Sequence, residues 1–110
     1  MSQQQPSEVS VEELAARVSD GAFVLDVREP QEYTAGHVPG AAHMPLHTVP
    51  ARYEELPRDQ TVYVVCASGG RSAQAAQFLT AAGFSAVNVD GGTKGWLAAG
   101  HDVAVGDEPG

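Results

Sequence analysis

The stretch TVYVVCASGGRSAQAAQFLTAAG, Thr61 to Gly83, joins three unlike segments. Thr61 to Cys66 is a continuous apolar run of β-branched and aromatic residues, the composition of a strand buried on both faces. Ser72 to Ala82 consists of good helix formers, with Ala76, Phe78 and Leu79 available to a core and Gly83 as the stop. Between them, Ala67 to Arg71 leave room only for a tight loop. A buried strand that feeds straight into a helix is the building unit of a parallel sheet.

The same alternation continues outward in both directions. Ser10, with Glu13 three positions later, opens a helix to about Ser19, whose Val11, Leu14, Ala15 and Val18 share a face. Ala22 to Val27 is a second apolar strand, and EPQEYTAG is a single helical turn begun by Pro30 and ended by Gly36. A short strand is expected over Ala41 to Met44, and a short helix over VPARYEEL, bounded by Pro57. AVNV is a further strand, and GGTKGWLAAG the last helix. The sum is an α/β fold of three layers, a mostly parallel central sheet flanked by helices. One domain is expected over residues 8–105, between a disordered tail at 1–7 and a frayed tail at 106–110.

Composition narrows the partners. The chain has 110 residues and a net charge of −8, with one lysine and five arginines, which excludes the basic footprint that nucleic acid or an anionic membrane requires. A single cysteine forms no internal disulfide and builds no cysteine-based metal site. The N-terminus MSQQQPSE lacks the pattern of a signal peptide, and no apolar segment is long enough to span a membrane. A cytoplasmic location is expected, where a thiol stays reduced.

That thiol sits at the carboxyl end of the clearest strand, where open parallel sheets bind their ligands. Taken alone, one cysteine is a small buried hydrophobe. Its neighbours change the reading. Gly69 and Gly70 are free to take positive φ and turn loop amides toward one point, while the first amides of the following helix have no backbone partner. Together with Arg71 they would favour the thiolate and hold an anion bonded to its sulfur. Cys66 is therefore the candidate nucleophile, and Ala67, Ser68, Gly69, Gly70, Arg71 and Ser72 its cradle.

The loop CASGGRS resembles the active-site loop of the rhodanese family, sulfurtransferases that carry sulfur as a cysteine persulfide. VLDVREPQEYTAGHVPGAAHMPL, Val24 to Leu46, is similar to a second rhodanese signature, and VDGGTKGWLAAG to the family's closing segment. The resemblance spans about Ser10 to Val105 and implies a rhodanese-like domain. It implies transfer of a sulfane sulfur through a Cys66 persulfide, from thiosulfate or another persulfide to cyanide, a cellular thiol or a protein thiol. Metal and organic cofactors are not expected. Partners would be a small anionic sulfur donor or a protein persulfide, and a thiol acceptor.

Two alternatives stand beside this reading. Related phosphatases and arsenate reductases carry one more residue between cysteine and arginine, which gives room for a tetrahedral oxyanion; the six residues from Cys66 to Arg71 fit sulfur better. A binding module or sulfur carrier of the same fold needs no turnover, but inactive relatives commonly lack the cysteine. Ala67 and Ser68 stand where two-domain thiosulfate enzymes tend to be basic, which argues for a donor other than thiosulfate.

The remaining polar residues read as structural. Arg28 is expected to pair with Glu32, and Asp26 to cap the turn after its strand. His37 lies in a glycine-flanked turn. Pro45 interrupts the spacing of His43 and His47, so no metal site is expected. Trp96 reads as core and Lys94 as solvent-facing.

Overall fold

β-branched runs without charge have to be covered on both sides, and the chain achieves this with five parallel strands between helices. The computed structural model describes residues 7–110. The strands are β1 (Ser7–Val9), β2 (Phe23–Asp26), β3 (Ala42–His43), β4 (Val62–Val65) and β5 (Ala86–Val89). Their order across the sheet is β1-β5-β4-β2-β3, and every pairing is parallel. The helices are α1 (Val11–Ser19), α2 (Pro30–Ala35), α3 (Val49–Arg52), α4 (Gly70–Ala81) and α5 (Gly92–Ala98), with 3-10 turns on either side of α3.

Successive side chains of a strand point to opposite faces, so central β4 supplies both halves of the core. Val62, Val64 and the following Cys66 pack with Leu25, Ala75, Ala76 and Leu79 under α4. Tyr63 and Val65 pack with Leu14, Val24, Tyr33 and Trp96 on the other side. Each fully buried aliphatic side chain contributes about 1.5–3 kcal/mol by leaving water. Ser10 Oγ accepts the Glu13 N–H at 3.1 Å and starts α1, while the Glu13 carboxylate turns away to Arg17. Among the described residues, no helix is long and apolar enough to cross a membrane.

Four expectations change. The strand β1 occupies Ser7, the last residue of the expected tail; residues 1–6 lie outside the described residues. It is a short polar edge strand, held by main-chain pairing of Ser7 with Val87, Glu8 with Asn88 and Val9 with Val89, and so carries no apolar signature. The segment 106–110 is docked rather than frayed. The Gly106 N–H donates to Thr34 O at 2.9 Å and the Gly40 N–H to Pro109 O at 2.8 Å. Buried His37 sits beneath this segment, with Nε2 3.0 Å from Glu108 O and Nδ1 2.8 Å from Tyr33 O. Helix α4 begins at Gly70, two residues early, which places Arg71 inside its first turn. Phe78 is 38% exposed, edge-on to Tyr53 rather than in the core.

Candidate active site

Parallel pairing of β2 with β4 sets Asp26 opposite Val65, so the ends of both strands share one edge. Cys66 follows β4 at that edge and is 1% exposed. The small-hydrophobe reading thus describes its packing: the side chain belongs to the core under α4, while its sulfur accepts from the loop. Gly69 has φ 123°, a value side-chain-bearing residues rarely adopt, and this turns its N–H onto Cys66 Sγ at 3.1 Å. Gly70 has no positive φ, so only one of the two glycines needs its freedom.

The Ser72 hydroxyl lies 3.3 Å from the sulfur, on the first turn of α4. Burial pushes the Cys66 thiol up. The Ser72 hydroxyl and N–H, with the N–H groups of Gly69 and Ser68, outweigh burial and bring it below its ordinary value. Hydrogen bonds are the main cause of that lowering, and the Arg71 guanidinium also interacts favourably with the thiolate charge.

Arg71 interacts with the thiolate charge, and a carboxylate holds its side chain as well. Its guanidinium is clamped by Glu32, with Nη1 2.7 Å from Oε1 and Nη2 3.0 Å from Oε2, so its charge is balanced across the cradle. Arg28, expected to pair with Glu32, instead pairs with Asp26 at 2.8 Å and donates to Gly36 O at 2.7 Å. Asp26 does cap its turn, accepting the Arg28 N–H at 3.0 Å. His43 turns Nε2 to Arg28 O at 2.7 Å, and the Trp96 indole N–H donates to Asp102 O at 2.7 Å. Among the described residues, no three His, Cys, Asp or Glu side chains gather as metal ligands do.

Hydrogen bonds from Arg71 lower the Glu32 carboxyl from 4.5 to about 2. A folded value below the unfolded one contributes stability that is full above pH 4.5 and lost as pH falls toward 2. The pair is about one-third exposed, and solvent screening holds the contribution to about 1 kcal/mol. Glu32→Gln is therefore expected to lower unfolding stability by about that amount at pH 7 and to match the parent near pH 2. Urea unfolding at the two pH values measures both.

Two contributions to the site were not legible in the residues. Asn88, 3% exposed on β5, takes the Ser72 hydroxyl on Oδ1 at 2.5 Å and donates from Nδ2 to Glu8 at 2.9 Å. The single Ser72 proton is thus shared between the sulfur and Asn88. A polar residue inside the short run AVNV was the available signal. The second contribution is the start of α5, whose Thr93 N–H donates to Cys66 O at 2.8 Å and Lys94 N–H to Ala67 O at 2.9 Å. Gly91 and Gly92, both at positive φ, allow that close approach.

Comparison with known proteins agrees with this fold. The family model described as Rhodanese-like domain matches residues 10–99. The chain is 38% identical over 100 residues to a sulfurtransferase from Allochromatium vinosum, covering 88% of this chain and 94% of that one. It is 40% identical over 89 residues to the thiosulfate sulfurtransferase GlpE of Pseudomonas entomophila, covering 80% and 82%. Among solved structures, a rhodanese-related protein from Thermoplasma volcanium superposes with a TM-score of 0.86 at 32% identity, covering 90% of this chain and 98% of that one.

Proposed function

The chain belongs to the rhodanese-like domain family, among sulfurtransferases, and from that premise we propose that it moves a sulfane sulfur through a persulfide on Cys66. What carries the reading is the acidified thiol at the end of β4, held between the Gly69 N–H and the Ser72 hydroxyl.

The cycle has two displacements. The Cys66 thiolate attacks the terminal sulfur of a donor. With thiosulfate, the donor S–S bond breaks, sulfite leaves with the electron pair, and Cys66–S–S⁻ remains. A thiophilic acceptor then attacks the outer sulfur, the Cys66 S–S bond breaks, and the thiolate returns; with cyanide the product is thiocyanate. Neither step needs a proton from a side chain. The donors that acidify the thiol face the charge that the persulfide also carries. Cys66 is 1% exposed, so the group it meets must be slim, as a terminal sulfur is and a tetrahedral phosphoryl group is not. Residues Ala67 to Ser72 form the cradle, with Asp26, Arg28 and Glu32 bracing it from the neighbouring strand end. With Arg71 balanced by Glu32 and neutral residues at 67 and 68, a persulfide suits the cradle better as donor than the thiosulfate dianion.

Reduced protein incubated with thiosulfate, or with a persulfidated protein donor, is expected to gain the mass of one sulfur atom. Cyanide should remove it, and Cys66→Ser should never acquire it. Gain only from the protein donor would assign a carrier role. No gain from either would end the sulfurtransferase reading.

A further inference from the structure

A cleft of about 330 Å³ opens beside the cysteine loop, lined by Ala67 and Thr93, by the apolar Ala35, Leu97 and Val103, and by the exposed Lys94. At ~30 Å³ per water molecule this is room for about ten waters, well beyond what a small sulfur oxyanion fills. Leu97 is 52% exposed, one of the few large apolar side chains left open to solvent.

The charge of the cleft is unusual for this chain. Arg17, Arg28, Arg52 and Arg71 each form an ion pair with a carboxylate, and Arg58 lies 4.0 Å over the Phe84 ring. Lys94 is the only lysine, and among the described residues it forms no ion pair. On a chain of net charge −8, Lys94, one of two basic side chains without a carboxylate partner among the described residues, thus stands two residues from Gly92, where the backbone presses on the cysteine loop. Arg28 and Glu32 also line the cleft, but each is already committed to a partner. The Thr93 hydroxyl is the one buried side-chain polar atom among the described residues without a hydrogen-bond partner. An exposed cation beside an apolar wall forms a site for an anion on an apolar stem.

Resting on the sulfur-transfer reading, we propose that this cleft selects the acceptor: a thiol whose short apolar stem ends in a carboxylate, with Lys94 as the specificity-determining residue. The acceptor thiolate attacks the outer sulfur of the Cys66 persulfide. A bond forms between acceptor sulfur and outer sulfur, the Cys66 S–S bond breaks, and the electron pair returns to Cys66 as thiolate. The acceptor leaves as its own persulfide, so atoms, charge and electrons balance. The stem lies along Leu97 and Val103, and the carboxylate meets Lys94.

The test loads the persulfide, verifies it by intact mass, and follows its discharge by 3-mercaptopropionate, 2-mercaptoethanol and cysteamine. Dividing each rate for Lys94→Glu by that of the parent removes the intrinsic reactivity of the thiol. Discharge by 3-mercaptopropionate is expected to fall about tenfold, the size of a charge-assisted contact at a partly exposed site, and cysteamine to gain. The 2-mercaptoethanol rate should hold within about twofold, and high salt should shrink the differences. Leu97→Ser is expected to slow 6-mercaptohexanoate more than 3-mercaptopropionate. Equal changes for all three thiols, or none, overturn the proposal. So does an equal fall in loading by thiosulfate, which would assign Lys94 to the donor anion. A second readout needs no persulfide: alkylation of Cys66 by iodoacetate relative to iodoacetamide should fall in Lys94→Glu. Failure of the parent to load would count against sulfur transfer, while an unchanged alkylation ratio would count against the cleft.

Discussion

Gly92→Ala is expected to cut the rate of Cys66 persulfide formation by about 100-fold or more. A Cβ at this position would lie 2.5 Å from Cys66 O and 2.8 Å from both the carbonyl carbon and oxygen of Ala67. These are backbone atoms, so no side chain can swing aside to make room. The residue also sits at φ 55°, where a Cβ adds its own strain. Relief requires that the start of α5 and the cysteine loop separate, which breaks the hydrogen bonds from Thr93 to Cys66 O and from Lys94 to Ala67 O. The Gly69 N–H and Ser72 hydroxyl then no longer converge on the sulfur, and displacements near 1 Å are enough to cost two orders of magnitude. Gly70→Ala is the control. Its Cβ would meet nothing within 4 Å and its φ is not positive, so transfer should stay near the parent rate although the residue lies in the cradle itself. Single-turnover loading of both variants, beside their melting curves, separates a displaced loop from a damaged fold.

The largest loss of stability is expected from Asp26→Asn. Asp26 is fully buried and Arg28 is 6% exposed. The carboxylate accepts the Arg28 N–H at 3.0 Å, Nε at 3.0 and 3.1 Å, and Nη2 at 2.8 Å. The substitution keeps the shape and removes the charge, leaving the Arg28 guanidinium buried without its counter-ion. Breaking such a pair costs about 3–5 kcal/mol, a large share of the ~5–15 kcal/mol that stabilises a domain. The melting temperature should fall by roughly 15–30 °C. Replacing both partners, as Asp26→Leu with Arg28→Met, removes the stranded charge and should recover most of the loss. Thermal or urea unfolding of the single and double variants measures the coupling directly.

Residues 61–83 show how much of the fold is legible in the amino-acid sequence. The run Thr61 to Cys66 has only one arrangement that buries it, a central strand, and β4 is that strand to within one residue at each end. The loop length and the helix formers after it then place the cysteine at a strand end, facing helix amides. Boundaries were less certain for a physical reason: Gly70 and Arg71 have no propensity that marks a helix start, and α4 takes them in because Gly69 turns the chain there. The segments at 7–9 and 106–110 gave no signal, because what orders them is main-chain bonding to β5, Thr34 and Gly40 together with distant side chains, Asn88 on Glu8 and His37 on Glu108 O.

By itself the sequence determined the α/β alternation, the mostly parallel sheet, the position of the single thiol and the glycine pair beside it, since these follow from periodicity, propensity and steric limits acting over a few neighbouring residues. The tertiary structure alone decided which charged and polar groups meet. Arg71 finds Glu32 across 39 positions, Asn88 finds Glu8 across 80, and Arg28 keeps to Asp26 although Glu32 is as close along the chain as a helix turn. It also decided that Gly92 presses on the cysteine loop and that Lys94 has no carboxylate partner among the described residues. Partner choice among like charges depends on distances of a few ångströms set by packing, and the order of residues along a chain does not contain those distances.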